Sequence, residues 1–184
     1  MTATTEEVEM ASTLEGRKEV PFKEMPCEKR FNILSHINRL AHFEWREAAL
    51  TLSPDLDSKE LVLKYWEIVG RDTGKAYLRH IDKEKPIAPQ IASSFVWSSI
   101  SMGEDAHLYE GDNEREAYML HEGCPWVDFH KRFNALDEDR PGCDRWLETL
   151  IATINEALGC KVRFETLESL PEGGSGCIRR VWEE

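Results

Sequence analysis

Apolar residues recur at three- and four-residue steps through the first half of the chain and change to alternation after Gly103. Phe31, Leu34, Ile37, Leu40, Ala41, Trp45 and Ala48 trace one stripe and predict a helix from Cys27 to Leu50. The Asp-rich segment around Pro54 interrupts it. Asp57 or Ser58 then caps a second helix, from Lys59 to about His80, with Leu61, Tyr65, Ile68, Val69, Ala76 and Tyr77 on its buried side. A third helix takes Pro89 in its first turn, where the missing donor costs little, and ends near Gly103. Its apolar set is Ile91, Ala92, Phe95, Val96 and Met102.

Beyond Gly103 the segments His107 to Glu110 and Glu114 to Trp126 read as strands joined around Gly111-Asp112-Asn113. Ala117, Met119 and His121 then share one strand face, Tyr118, Leu120 and Cys124 the other, and Gly123 bends the end or marks a bulge. A short helix over Val127 to Leu136 and an acidic loop over Asp137 to Arg140 follow. Pro141 and Gly142 introduce a long amphipathic helix, with Trp146, Leu147, Leu150, Ile151, Ile154 and Leu158 as its stripe and Gly159 as its C-cap. The chain closes with a strand over Lys161 to Leu167, a glycine-rich turn, and a strand over Cys177 to Trp182. Three helices, a hairpin, one or two helices and a second hairpin lack the βαβα alternation of a doubly wound fold. The order predicts an α+β fold, a four-stranded and largely antiparallel sheet covered by amphipathic helices. Residues 1–26 are polar and acidic and read as a flexible arm, with Val20 to Phe22 able to dock, and residues 27–184 read as one domain.

Length and charge narrow the function classes. A chain of 184 residues suits one domain with a sizeable core. A net charge of -12 argues against nucleic acid or an anionic membrane as the main partner. Lys161, Arg163, Arg179 and Arg180 are the local basic group, equally well read as a solvated face. No apolar run reaches bilayer length, and MTATTEEVEM has neither a basic start nor an apolar stretch, so a cytoplasmic protein is expected. Cys27, Cys124, Cys143, Cys160 and Cys177 make an odd count without a CxxC pair, which favours reduced thiols over a disulfide scaffold or a zinc knuckle.

HEGCPW at His121 to Trp126, PGCDRW at Pro141 to Trp146, GCKVRFE at Gly159 to Glu165 and CIRRVW at Cys177 to Trp182 cover about a third of the chain. In this order they resemble the L-2-amino-thiazoline-4-carboxylic acid hydrolase-like family. The resemblance implies hydrolytic opening of a cyclic C=N-containing ring. It extends toward vinyl-reductase-like small-ligand domains, which implies a binding module without hydrolysis.

Read from the residues, Cys143 and Cys124 are the first candidates for a nucleophile. Both stand beside proline or glycine, and Cys143 falls near a predicted helix N-terminus, whose amide donors favour a thiolate. With the hydrolase resemblance, His121 or His130 would move the proton, and Asp144 or Glu122 would orient it. The alternative for each cysteine is ordinary core packing. Cys124, Cys160, Cys177 and His121 would suit a soft metal, zinc or iron, if the last hairpin brought Cys160 toward Cys177. A second metal set, His36, Glu44, Asp72 and His80, lies on the early helices, against the alternative of a solvated polar seam. The tryptophans offer walls for an apolar or aromatic ligand. The expected partner is therefore a small molecule, as substrate or bound ligand. A homodimer through the first long helix is a third reading.

Overall fold

The computed structural model describes residues 24–184. The expected flexible arm and its Val20 to Phe22 segment fall largely or wholly outside the described residues. Of the described residues, 24–31 and Asn32–Glu184 belong to separate units. In the first, Arg30 Nε donates to Met25 O at 2.8 Å.

Helices α1 (Cys27–Leu52), α2 (Ser58–Tyr77) and α3 (Ile87–Ser101) precede strands β1 (Asp105–Glu110) and β2 (Glu116–Gly123). Helices α4 (Pro125–Arg132) and α5 (Leu136–Leu158) follow, then β3 (Val162–Glu168), a 3-10 turn over Leu170–Glu172 and β4 (Cys177–Glu183). The strands form one sheet in the order β1-β2-β4-β3, and every pairing is antiparallel. The α+β class, the strand count and the helical cover agree with the pattern in the sequence.

Local chemistry sets several boundaries. Asp57 caps α2 by accepting from Glu60 N at 2.9 Å. Glu183, at the far end of the chain, accepts from Ile87 N and from Ala88 N (3.0 Å for the latter), satisfying the first donors of α3. Gly159 closes α5 in the left-handed conformation, φ 66°.

The expected acidic loop before Pro141 is instead the first turn of α5. Asp137, Glu138 and Asp139 sit where the helix dipole favours negative charge. Pro141 lies inside this helix, which gives up the bond to Asp137 O and continues through it.

The main core lies between the sheet and helices α3 and α5, with Ile91, Phe95, Met119, Leu147, Leu150 and Val181 enclosed. Helices α2 and α5 meet closely at two glycines. A Cβ on Gly70 would lie 2.4 Å from Trp146 O, and one on Gly74 2.9 Å from Leu150 O. A smaller cluster joins Phe43, Phe129 and Ala135.

Helix α1 departs from its sequence pattern. Leu34 (67% exposed), Ile37 and Trp45 face outward, while Ser35, Arg39, His42 and Phe43 are buried. Polar bonds explain the inversion. Arg39 Nη1 donates to Met102 O at 2.5 Å, and Arg46 forms a two-pronged pair with buried Glu138, Nε to Oε2 at 2.8 Å.

Candidate functional site

A cavity of about 320 Å³ opens where the helical layer meets the sheet. Its sheet wall is built by register. His121 pairs with Cys177 and Met119 with Arg179, so these four side chains share the helix-facing side of β2 and β4. The β1–β2 register breaks where Asp105 pairs with Gly123 and Ala106 with His121. Just past that break, Cys124 lines the same cavity as His121, a meeting that an ideal strand would forbid. Helix α2 supplies Tyr65 and Trp66, α3 supplies Phe95 and Ser99, α4 supplies Trp126 and His130, and α5 supplies Asp139, Cys143 and Trp146. Glu104 reaches in from the connection before β1.

Four buried polar atoms of this wall lack a hydrogen-bond partner among the described residues: His121 Nδ1, His130 Nε2, Asp139 Oδ2 and Arg179 Nε. Arg179 is 3% exposed, and its ion pair is a long one, 3.7 Å from Nη2 to Asp144 Oδ1. Asp144 Oδ1 is already engaged by Thr166 Oγ1 at 2.7 Å.

His130 Nδ1 stands 2.9 Å from Trp126 O and 2.8 Å from Asp139 Oδ2. Both are acceptors, so Nδ1 carries the proton and Nε2 keeps a free lone pair in the neutral ring. The tautomer rests on the bond to Trp126 O; Asp139 Oδ2 stands close to Nδ1 without a hydrogen bond to it. His121 Nε2 lies 2.9 Å from Ser99 Oγ and 3.3 Å from Glu104 Oε2.

Burial favours the protonated thiol at Cys143 and Cys124. Burial pushes Cys143 up to about 12, with Asp139 and Glu104 adding to it and Arg179 opposing. Burial likewise raises Cys124, supported by Glu104. Cys143 sits inside α5 and not at its N-terminus, so the expected help from the helix end does not reach it.

Cys124, Cys143, Cys177, His121 and His130 therefore line one cavity. Cys160 does not join them. The β3–β4 register pairs Val162 with Glu183 and Glu168 with Ile178, which puts Cys160 and Cys177 at opposite ends of the hairpin. Cys160 Sγ instead contacts Asn155 Oδ1 at 3.2 Å.

The set His36, Glu44, Asp72 and His80 does not converge either. Asp72 pairs with Arg71 at 3.0 Å and Lys75 at 3.5 Å, and His36 packs edge-on against Phe129 at 5.2 Å. Asp144 is held by Thr166 and Arg140, and Glu122 stands on the solvent face of the sheet. Glu122 forms with Asp105 and His107 a candidate metal cluster whose ligand atoms all lie within 4.8 Å of one another.

Sequence reading missed Arg179, Glu104 and Asp139 as site residues, and also His42, which packs behind Tyr65, Trp66, Trp126 and His130 without lining the cavity. Arg179 carried a legible signal, a charge alternating in phase with Cys177 and Val181. His42 carried none. It is enclosed by Phe43, Tyr65, Trp66, Trp126 and His130, with ring centroids 4.8 to 6.5 Å away, and neither ring nitrogen has a partner. Burial, then His130 and Arg46, lower its pKa to about 4.

Fold and site together define an α+β domain with a ligand-sized pocket and a separate candidate metal cluster. No protein-family model and no curated protein matches the chain. Among solved structures it is similar to a trafficking protein particle complex subunit 3 from Naegleria fowleri covalently bound to palmitic acid. That match has 14% identity and a TM-score of 0.52, over 83% of this chain and 96% of that one. An H-NOX protein from S. oneidensis in the Fe(II)NO ligation state matches at 9% identity, over 98% of this chain and 91% of that one. Its TM-score is 0.42, too low to argue from. The first likeness is one of fold alone.

Proposed function

We propose that the protein is a small-ligand-binding domain that takes an organic acid into the cavity. The carboxylate would pair with Arg179 and the apolar or aromatic body would lie among Trp66, Trp126 and Trp146. The observation that carries this reading is the buried guanidinium of Arg179, with Nε unsatisfied and no closer carboxylate than 3.7 Å. Leaving such donors unmade is costly, and a carboxylate matches the fork of an arginine in shape and charge. The cavity volume sits near the lower end of the range of about 300 to 1,000 Å³ usual for ligand pockets. The protonated thiols suit this reading, since at neutral pH they present soft, weakly polar surface.

A panel of cyclic and aromatic carboxylates, with palmitate and 2-aminothiazoline-4-carboxylate included, tests it by calorimetry. At least one acid should saturate at one per chain, and Arg179→Gln should weaken it about 10- to 100-fold, the worth of a hydrogen bond to a charge. Equal affinity in a folded R179Q variant would sink the reading.

The His130–Asp139 pair favours a second reading, a hydrolase that opens a cyclic amidine or related C–N bond. Nε2 of His130 would take a proton from water as its oxygen adds to the amidine carbon and the C=N π pair moves to nitrogen. It would return that proton to the ring nitrogen, which leaves with the C–N bonding pair as the hydroxyl collapses to a carbonyl. Trp126 O would hold the imidazole in the required tautomer, with the Asp139 carboxylate beside Nδ1. On this reading His130→Asn abolishes ring opening of 2-aminothiazoline-4-carboxylate while its binding persists. Binding without turnover in the unaltered protein leaves the binding reading and removes the hydrolase.

A further inference from the structure

The solvent face of the β1–β2 hairpin carries a cluster independent of the cavity. Asp105 and His107 are two residues apart on β1 and so share a face, opposite to that of buried Ala106. Glu122 stands beside them on β2, at the step where the register passes from His121 to Gly123 while β1 advances only from Ala106 to Asp105. The extra residue is the mark of a bulge, a device that re-aims a side chain. The group is more than an acidic patch because an imidazole joins the carboxylates, and His107 Nε2 already stands 3.1 Å from Asp105 Oδ1. Among the described residues neither Asp105 nor Glu122 has a lysine or arginine partner, and the ligand atoms lie within 4.8 Å of one another.

We propose that Asp105, His107 and Glu122 bind one exchangeable divalent ion of the zinc and cobalt class. One imidazole nitrogen with two carboxylate oxygens is a donor set for borderline ions, whereas calcium takes six or more oxygens. A tetrahedral ion with bonds of about 2.0 to 2.2 Å needs its ligand atoms roughly 3.4 Å apart. The His107–Asp105 separation is already of that order, and exposed side chains close the rest by rotation. Three protein ligands leave a position for water, so the ion exchanges. It would tie the residue after Glu104 to the residue before Gly123-Cys124. Both Glu104 and Cys124 line the cavity, so the ion staples the open end of the hairpin behind that wall.

Cobalt(II) titration of the full chain, followed by absorption, tests the assignment. The expected result is a saturating set of d–d bands at one ion per chain without a thiolate charge-transfer band. His107→Ala and Glu122→Gln should each lower that affinity at least about tenfold. Both side chains are exposed, so the folded state survives their loss, which circular dichroism verifies. A titration that does not saturate, bands that all carry thiolate character, or equal affinity in both variants overturns the proposal.

Discussion

His42 is where a single residue most clearly answers to its surroundings. An aromatic enclosure removes water from both nitrogens, and His130 and Arg46 add unfavourable charge, so the folded state holds the ring neutral. Its folded pKa, about 4, lies below the unfolded value of 6.5. Below pH 6.5 the unfolded chain therefore takes up the proton first. The resulting contribution to stability is complete above pH 6.5, falls as the pH drops toward 4, and amounts to roughly 3 kcal/mol. Urea unfolding at a series of pH values should show that slope, and His42→Leu should flatten it. An unchanged slope in the variant would place the acid sensitivity elsewhere.

Burial acts in the same sense on the cavity thiols, and this gives a second expectation at residue scale. Cys27 is exposed, whereas Cys124 and Cys143 are held as thiols by burial. Iodoacetamide at pH 8 should label Cys27 within the folded protein and reach Cys124 and Cys143 only on denaturation, as peptide mass spectrometry would read. Fast labelling of Cys143 would revive a thiolate nucleophile.

At the scale of elements, the contact between α2 and α5 is set by backbone and not by side chains. Alanine at Gly70 would gain about 1 kcal/mol of helix propensity. Its Cβ would meet Trp146 O at 2.4 Å, a backbone atom that moves only with its helix. Overpacking of this kind costs about 1 to 3 kcal/mol, so Gly70→Ala should destabilise on balance. Because Trp146 lines the cavity, the same variant should weaken the bound acid, and a Gly70→Ala protein of raised stability would refute the account. The helices themselves were legible in the three- and four-residue apolar steps. Which face of α1 turns inward was not, because Arg39 and Arg46 find acceptors on Met102 and Glu138, at sequence separations of 63 and 92 residues. No local pattern contains that information.

For the whole molecule, the cavity exists because two layers built from distant segments close around it. Among the described residues no helix is long and apolar enough to cross a membrane. The pocket draws on α2, α3, α4, α5 and the sheet, so no contiguous motif encodes it. Cys124 and Cys143 were visible because each stands beside a proline or glycine that punctuates the chain. Their meeting with Cys177 and Arg179 depends on β2 pairing with β4 across the intervening helices and β3.

The apolar periods, the turn residues and the Gly159 cap were enough to determine the element order and the antiparallel class. Local sterics and hydrogen bonding act over a few residues, and a sequence displays them directly. Register and long-range charge pairing decided everything about the site. Register sent Cys160 to the far end of its hairpin from Cys177, and it placed Arg179 on the cavity wall. Burial then converted the candidate thiolates into thiols and left a guanidinium in want of an anion. Those outcomes depend on which surfaces lose water together, and only the assembled fold specifies that.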